Sequence, residues 1–356
     1  MPTWGEILVE LQATAKTFGP NPTVSPFDTV RRKYLDLLHQ HTQRNIILYA
    51  SNWTQPGVPI ADVNMLMVNE EDIQGLMEVI HGLGDSGVDL ILHSPGGSAE
   101  AAEAFVSYLR TKFADVRVIV PLAAMSTATM IACAANKVVM GKHSFLGPID
   151  PQVRWKTDAG SQMIAVQAIL DQFEQGKEEC KEDPKNLGPW LPILSQYGPA
   201  LLVQSQEAMD LSKELVSEWL TRYMFSELSP EEARERARKV AHFLSNHKYF
   251  KTHGRHISRT DVRGQGLVVD DLETDQVFQD LVLSVFHATT HTFGATTAVK
   301  IVENHLGKAF IKQQRIQAPA VLLDPGGAPF RLQPVLPPTV APKEGEPRPE
   351  MPTPPS

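Results

Sequence analysis

At 356 residues the chain exceeds one ordinary domain, and a balance of 42% hydrophobic to 21% charged residues excludes a wholly disordered, collagen-like or coiled-coil molecule. With 33 basic against 41 acidic residues, the net charge of −8 gives no electrostatic ground for nucleic acid or an anionic membrane as the main partner. Two cysteines, Cys133 and Cys180, make neither a disulfide framework nor a zinc pattern and read as free thiols.

Met1–Leu11 shows no basic leader followed by an apolar run, and no stretch reaches the roughly 18 apolar residues of a membrane helix. The expectation is a soluble cytoplasmic protein, with membrane contact at most peripheral. Ser25-Pro26 caps a helix whose apolar positions Val30, Tyr34, Leu35 and Leu38 share one face, and Asn45–Ala50 then has the length of a buried strand. The basic run Arg31-Arg32-Lys33 reads as a solvated helix face. Asn69 and Asp72 form a loose capping box for a helix carrying Ile73, Met77, Val79 and Ile80. Strand 88–92, an Ala-rich helix from Ser98 to Lys112, strand 116–120, a helix from Ser126 to Ala135 and strand 137–140 follow. Strands alternating with helices of this length argue for parallel β-structure with crossover helices.

From Gln162 the pattern becomes helical, with Met163, Val166, Ile169, Leu170 and Phe173 on one face and long helices over about 199–223 and 231–246. Ser229-Pro230 with Glu232 signs the start of the last of these. Gly266–Val269 is strand-like, and Gln276–Ala288 and Ala295–Lys312 read as helices. From Pro319 to Ser356 recurrent prolines without apolar periodicity predict a disordered tail.

Two strand-to-helix junctions carry candidate chemistry. Pro95-Gly96-Gly97 lies between a buried strand and a helix that begins at Ser98, so the N–H of Gly97 can face a developing oxyanion; a plain turn is the bland alternative. The second junction places Ser126 at a helix N-terminus among small side chains, where a nascent alkoxide is stabilised and the N–H of Thr127 is a second oxyanion donor. The alternative is that Ser126 only caps its helix.

Leu90–Gly97, Ser126 with Ala134–Met140 and Leu146–Asp150, the segment Gly147–Gln152, and Gly254-Arg255 leading to Gly266–Asp270 together resemble the Clp protease/crotonase-like superfamily. Within it the chain is similar to the serine dehydrogenase proteinase group, related to signal-peptide peptidase A. The resemblance spans about Ser25 to Lys312. It implies an α/β fold, a spiral of ββα units usually assembled into homo-oligomeric rings, with Ser126 as nucleophile and the Gly97 and Thr127 amides as oxyanion hole. Clp-type proteases supply a histidine just beyond the nucleophile's helix, where this chain reads Phe145–Asp150 without one. Signal-peptide peptidase A relatives use a desolvated lysine, for which Lys185, near Trp190 and Leu191, fits better than Lys177 or Lys181 in their charged run. Asn186 stands where the relatives' pattern has an acid, and Thr127 is bulkier than the glycine often found after the serine. His143 reads as a surface or supporting residue and His93 as a satisfied core histidine. His247, His253 and His256 lack zinc-site spacing.

The expected organisation is an arm over 1–24, a Clp/crotonase-like peptidase domain over 25–274, a C-terminal helical extension over 275–317 and the Pro-rich tail over 318–356. The expected function is ATP-independent hydrolysis of peptide bonds in peptide or protein substrates through Ser126, with no cofactor or metal. The alternative is a catalytically silent oligomeric scaffold that binds protein partners. Acyl-CoA chemistry of the crotonase branch is a third and weaker possibility, since it needs no serine at this junction. No dinucleotide fingerprint follows any strand.

Overall fold

A computed structural model describes residues 3–18, 24–54, 62–157 and 160–314. In chain order, α1 (Trp4–Thr17) and α2 (Pro26–Thr42) lead to β1 (Asn45–Ser51), α3 (Asp72–Ile80), β2 (Val88–His93), α4 (Ala99–Lys112) and β3 (Val116–Val120). The short β4 (Ala123–Ala124) enters α5 (Thr127–Cys133), followed by β5 (Lys137–Met140), β6 (Phe145–Leu146) and the hairpin β7 (Gln152–Thr157) and β8 (Gly160–Ala165). Helices α6 (Val166–Glu182), α7 (Leu187–Leu194), α8 (Leu201–Trp219), α9 (Pro230–Leu244) and α10 (His247–Phe250) come next. The described chain closes with β9 (Ile257–Ser258), α11 (Arg259–Gln265), β10 (Val269–Asp271), α12 (Gln276–Ala295), β11 (Ala298–Asn304) and β12 (Ala309–Gln313).

Local signals explain where the elements begin. Ser25 Oγ accepts from the Phe27 N–H ahead of Pro26, and Ser229 and Glu232 exchange both bonds of a capping box at α9. The seven-stranded sheet runs β10-β5-β3-β2-β1-β11-β12, with β10, β5, β3, β2 and β1 parallel. Because alternate residues of a strand point to opposite faces, Ile47, Leu90, Leu92, Val118 and Val138 enter one core with α3, α4, α5, α8 and α9. Ile46, Leu48, Ile91, Ile119 and Val139 enter the other core with α1, α2 and α12. Both faces are covered, so the parallel strands read as continuous apolar runs. A second sheet, β4-β6-β9, is built from the short strands that follow β3 and β5, which gives the expected ββα units.

The chain ends depart from expectation. The arm over 1–24 contains α1, capped by Thr3 and Glu6 and anchored by buried Ile7 and Leu11. The expected boundary at 274/275 is absent: α12 packs on α2, and Met1–Gln314 is one compact unit. Ala295–Lys312, expected to be helical, forms β11 and β12, with β11 antiparallel to β1. Periodicity misleads here because Lys300 and Glu303 look like a polar face yet are fully buried and ion-paired. Glu303 accepts from Arg31 and Arg32, so the basic run expected to be a solvated face clamps α2 to β11, with Arg31 completely buried. Met163 belongs to β8, and α6 begins only at Val166. The Pro-rich tail over 318–356 lies outside the described residues.

Candidate active site

The two junctions named from sequence meet at the carboxyl ends of the parallel strands. Ser94 extends β2: its N–H donates to Ala123 O (3.2 Å), and its carbonyl accepts from the Met125 N–H (3.0 Å). Gly96 then passes so close that an added Cβ would lie 2.8 Å from Ser126 Cβ and 2.9 Å from Thr127 N, and its φ is +98°. Gly97 is glycine for another reason, since a Cβ there would meet Val68 O at 2.2 Å and Val68 N at 2.4 Å. Val68 holds the turn, its N–H donating to Gly96 O (2.8 Å) and its carbonyl accepting from the Ser98 N–H (3.0 Å).

Ser126 takes φ 51° and ψ −121°, outside the ordinary regions for a residue with a Cβ, and its hydroxyl makes no capping bond to α5. It is partly accessible between the buried Met125 and Thr127. A capping role does not account for this conformation, because a serine N-cap sits in the β region with its oxygen on the first-turn amides. Thr127 does not crowd the junction: its Oγ1 donates to Gly97 O (2.8 Å), tying the two turns together. That carbonyl and the Gly97 N–H both turn away from Val68, as the parallel bridge between Val68 and Gly97 requires. Neither the Gly97 N–H nor the Thr127 N–H has a hydrogen-bond acceptor among the described residues. An uncapped hydroxyl on a partly accessible residue and two unpaired amides at adjoining turns are the parts an acyl-transfer site uses.

Supports invisible to motif reading surround these groups. His93 is buried between Trp53 and Phe286, and its Nδ1 faces Ala123 O at 3.1 Å, which fixes Nδ1 as the donor. Burial pushes its pKa down to about 4 against that hydrogen bond, so it is a neutral anchor of β4, as the core reading expected. Thr129 Oγ1 donates to Ala124 O (2.8 Å) and accepts from the Gly147 N–H (3.0 Å). On the other side, Lys300 Nζ donates to Met67 O (2.7 Å) and to both oxygens of Asp72, which also receives the Tyr49 hydroxyl and Lys312. Burial pushes Lys300 down to about 8; it pushes Asp72 up, but the surrounding donors hold that carboxylate below its ordinary value. This cluster fixes the 67–72 segment on which the Gly96-Gly97 turn rests.

The histidines and lysines separate. His143 Nε2 donates to Pro121 O (3.0 Å). His247 and His253 converge on buried Asp150, whereas His256 stacks on Phe145 with ring centroids 3.6 Å apart. Among the described residues no group of three or more His, Cys, Asp or Glu is arranged to hold a metal ion. Lys177 and Lys181 are exposed partners of Glu174 and Glu178 on α6. Lys185 lies exposed in the turn Pro184–Asn186, with its backbone N–H on Asp183 Oδ1 (2.9 Å). The apolar company expected to desolvate it packs elsewhere: the Trp190 ring lies on Gly176 and its indole N–H on Glu179. Within one chain the expected burial of Lys185 is not realised.

Residues 29–180 match the model of the ClpP-like SDH-type serine proteinase family, the group the sequence resembles. An uncharacterized protein of Methanocaldococcus jannaschii is 27% identical over 239 residues, 67% of this chain and 69% of that relative. A second uncharacterized protein of the same organism is 36% identical over 97 residues, 27% of this chain and 32% of the relative. Among solved structures, a serine-to-alanine mutant of the membrane-bound stomatin-specific protease 1510-N matches 52% of this chain and 64% of its own, at 14% identity. Its TM-score of 0.28 is too low to carry an argument about this chain. Among the described residues no helix is long and apolar enough to cross a membrane.

Proposed function

We propose, from the match of residues 29–180 to the model of the ClpP-like SDH-type serine proteinase family, that the chain hydrolyses peptide bonds by acyl transfer through Ser126. The family supports serine peptidase activity on peptide or protein substrates. The observation that carries the assignment to Ser126 is its strained backbone with an uncapped hydroxyl beside two unpaired amides. Attack by Ser126 Oγ on the scissile carbonyl turns the carbonyl oxygen into an oxyanion, which the Gly97 and Thr127 N–H groups receive. Turnover is expected without ATP.

Lys185 enters this site as a Ser–Lys base only in an assembly of several copies that covers its exposed amine. The homo-oligomeric ring implied by the resemblance is the proposed source of such cover.

The test is hydrolysis of fluorescein-labelled casein by the purified full chain, with and without ATP. Ser126→Ala is expected to lower turnover by about 1000-fold or more while leaving the melting temperature close to wild type. Undiminished turnover in that variant removes Ser126 from the mechanism. Absence of turnover in the wild type favours the silent scaffold.

A further inference from the structure

The two oxyanion donors come from turns that are distant in the chain, and a hole built from them works only if their separation is held. An oxyanion accepts from both amides when its oxygen lies about 2.7–3.1 Å from each nitrogen. The anchors at the strand ends stop short of this. Ala123 O takes bonds from His93 Nδ1 and the Ser94 N–H, and Ser94 O accepts from the Met125 N–H at 3.0 Å. Gly97 lies further along, past Gly96 with its φ of +98°. Val68 holds that turn from the far side, through Gly96 O and the Ser98 N–H. On the near side, among the described residues, one hydrogen bond reaches Gly97 itself: Thr127 Oγ1 donates to Gly97 O at 2.8 Å.

Thr127 spends its hydroxyl in an unusual direction. A helical threonine commonly returns it to a carbonyl of its own helix, as Thr289 and Thr292 do in α12 with Val285 O and Ala288 O (2.7 and 2.8 Å). Thr127, the first residue of α5, is 3% exposed and sends its hydroxyl out of the helix to the other turn. The Gly97 carbonyl and N–H face the same side, away from Val68, so a hold on the carbonyl is also a hold on the amide. At the other end of the bond, Oγ1 and the second oxyanion N–H belong to one residue. The hydrogen bond therefore links the two donor nitrogens through a short chain of atoms, and the β-branched side chain stiffens it. A glycine after the serine can make no such link.

Resting on the assignment of Ser126 as nucleophile and of these two amides as the oxyanion hole, we propose that the Thr127 hydroxyl is the positioning group that sets the separation of the two donors. The hydroxyl touches no reacting atom. It acts through Gly97, and its effect is felt when the carbonyl oxygen takes up charge rather than when the substrate first binds. The kinetic signature is thus a fall in kcat with KM little changed.

The experiment measures kcat and KM for fluorescein-labelled casein on full-length chains carrying Thr127→Val, Thr127→Ala and Thr127→Ser, with folding checked by circular dichroism and melting temperature. Valine keeps the shape, alanine removes it, and serine keeps only the hydroxyl. Thr127→Val and Thr127→Ala are each expected to lower kcat by about 30-fold with KM within about 2-fold of wild type, since a donor displaced by about 1 Å can cost about 100-fold. Thr127→Ser is expected to recover kcat to about a third of wild type, a rescue that loss of packing would not show. Wild-type kcat in folded Thr127→Val or Thr127→Ala, a loss confined to KM, or a Thr127→Ser as impaired as Thr127→Val overturns the proposal. If Thr127→Val does not fold, Thr127→Ala against Thr127→Ser decides by the same split. An inactive Ser126→Ala beside a Thr127→Val of wild-type kcat defeats the hydroxyl's role alone. Absence of turnover in the wild type, or a Ser126→Ala as active as wild type, defeats the reading on which the proposal rests and the proposal with it.

Discussion

Two serines of this chain stand at helix N-caps just beyond a strand, and the fold uses them in opposite ways. Ser98 has φ −76° and ψ 137°, and its oxygen accepts from the Ala101 N–H at 3.1 Å, so its hydroxyl is committed to starting α4. Ser126, at φ 51° and ψ −121°, leaves its helix uncapped, and the residue is partly accessible. The first residue is satisfied and relaxed; the second is strained and unsatisfied, and a fold retains such a residue only where its surroundings over-determine it. Those surroundings are the buried clamps beneath each turn.

The clamps are where the contrast breaks most easily. Lys300→Ala leaves Asp72 in the core with one of its cations gone, and is expected to cost about 3–5 kcal/mol in urea denaturation. It should also lower casein turnover in the fraction that folds, because the 67–72 segment no longer holds Gly97 in register. A melting temperature unchanged from wild type would show that the pair does not support the turn.

A smaller effect is expected on the side of β4. His93 has its pKa lowered to about 4 in the folded chain, against about 6.5 when unfolded, so the unfolded chain takes up the proton first as pH falls. Its contribution is complete above pH 6.5 and is lost progressively towards pH 4, amounting to about 3 kcal/mol. Urea midpoints measured across that window should fall less steeply in His93→Gln than in wild type.

The smallest expected effect sharpens the comparison directly. Ser98→Ala should cost about 1 kcal/mol of stability through its lost cap while leaving kcat for casein close to wild type. Ser126→Ala should do the reverse. If both variants lose stability equally and neither loses turnover, the two serines are both simple caps.

Much of the parallel sheet was legible because β1, β2, β3 and β5 each carry their own evidence, a short apolar run set between helical stretches. The N-terminal helix was missed, since residues 1–24 read only as an arm, although Thr3 and Glu6 stand at capping-box spacing ahead of it. β11 was not, because its burial of Lys300 and Glu303 depends on Asp72, Arg31 and Arg32, which arrive from elsewhere in the chain. The same holds for Asp150: its place in the Gly147–Gln152 motif was plain, but nothing local announces that His247 and His253 close on it.

Sequence alone determined the alternation of strands and helices, the two glycine- and serine-bearing junctions, and the absence of a dinucleotide fingerprint, because each is encoded within about ten neighbouring residues by periodicity, caps and missing Cβ atoms. Tertiary structure decided which charges are inside, that Lys185 is exposed, that Thr127 ties rather than blocks, and that two imidazoles share one buried carboxylate. Those outcomes are settled by pairing free energies between residues more than a hundred positions apart in several cases, and a buried ion pair looks like a surface charge until its partner is in place.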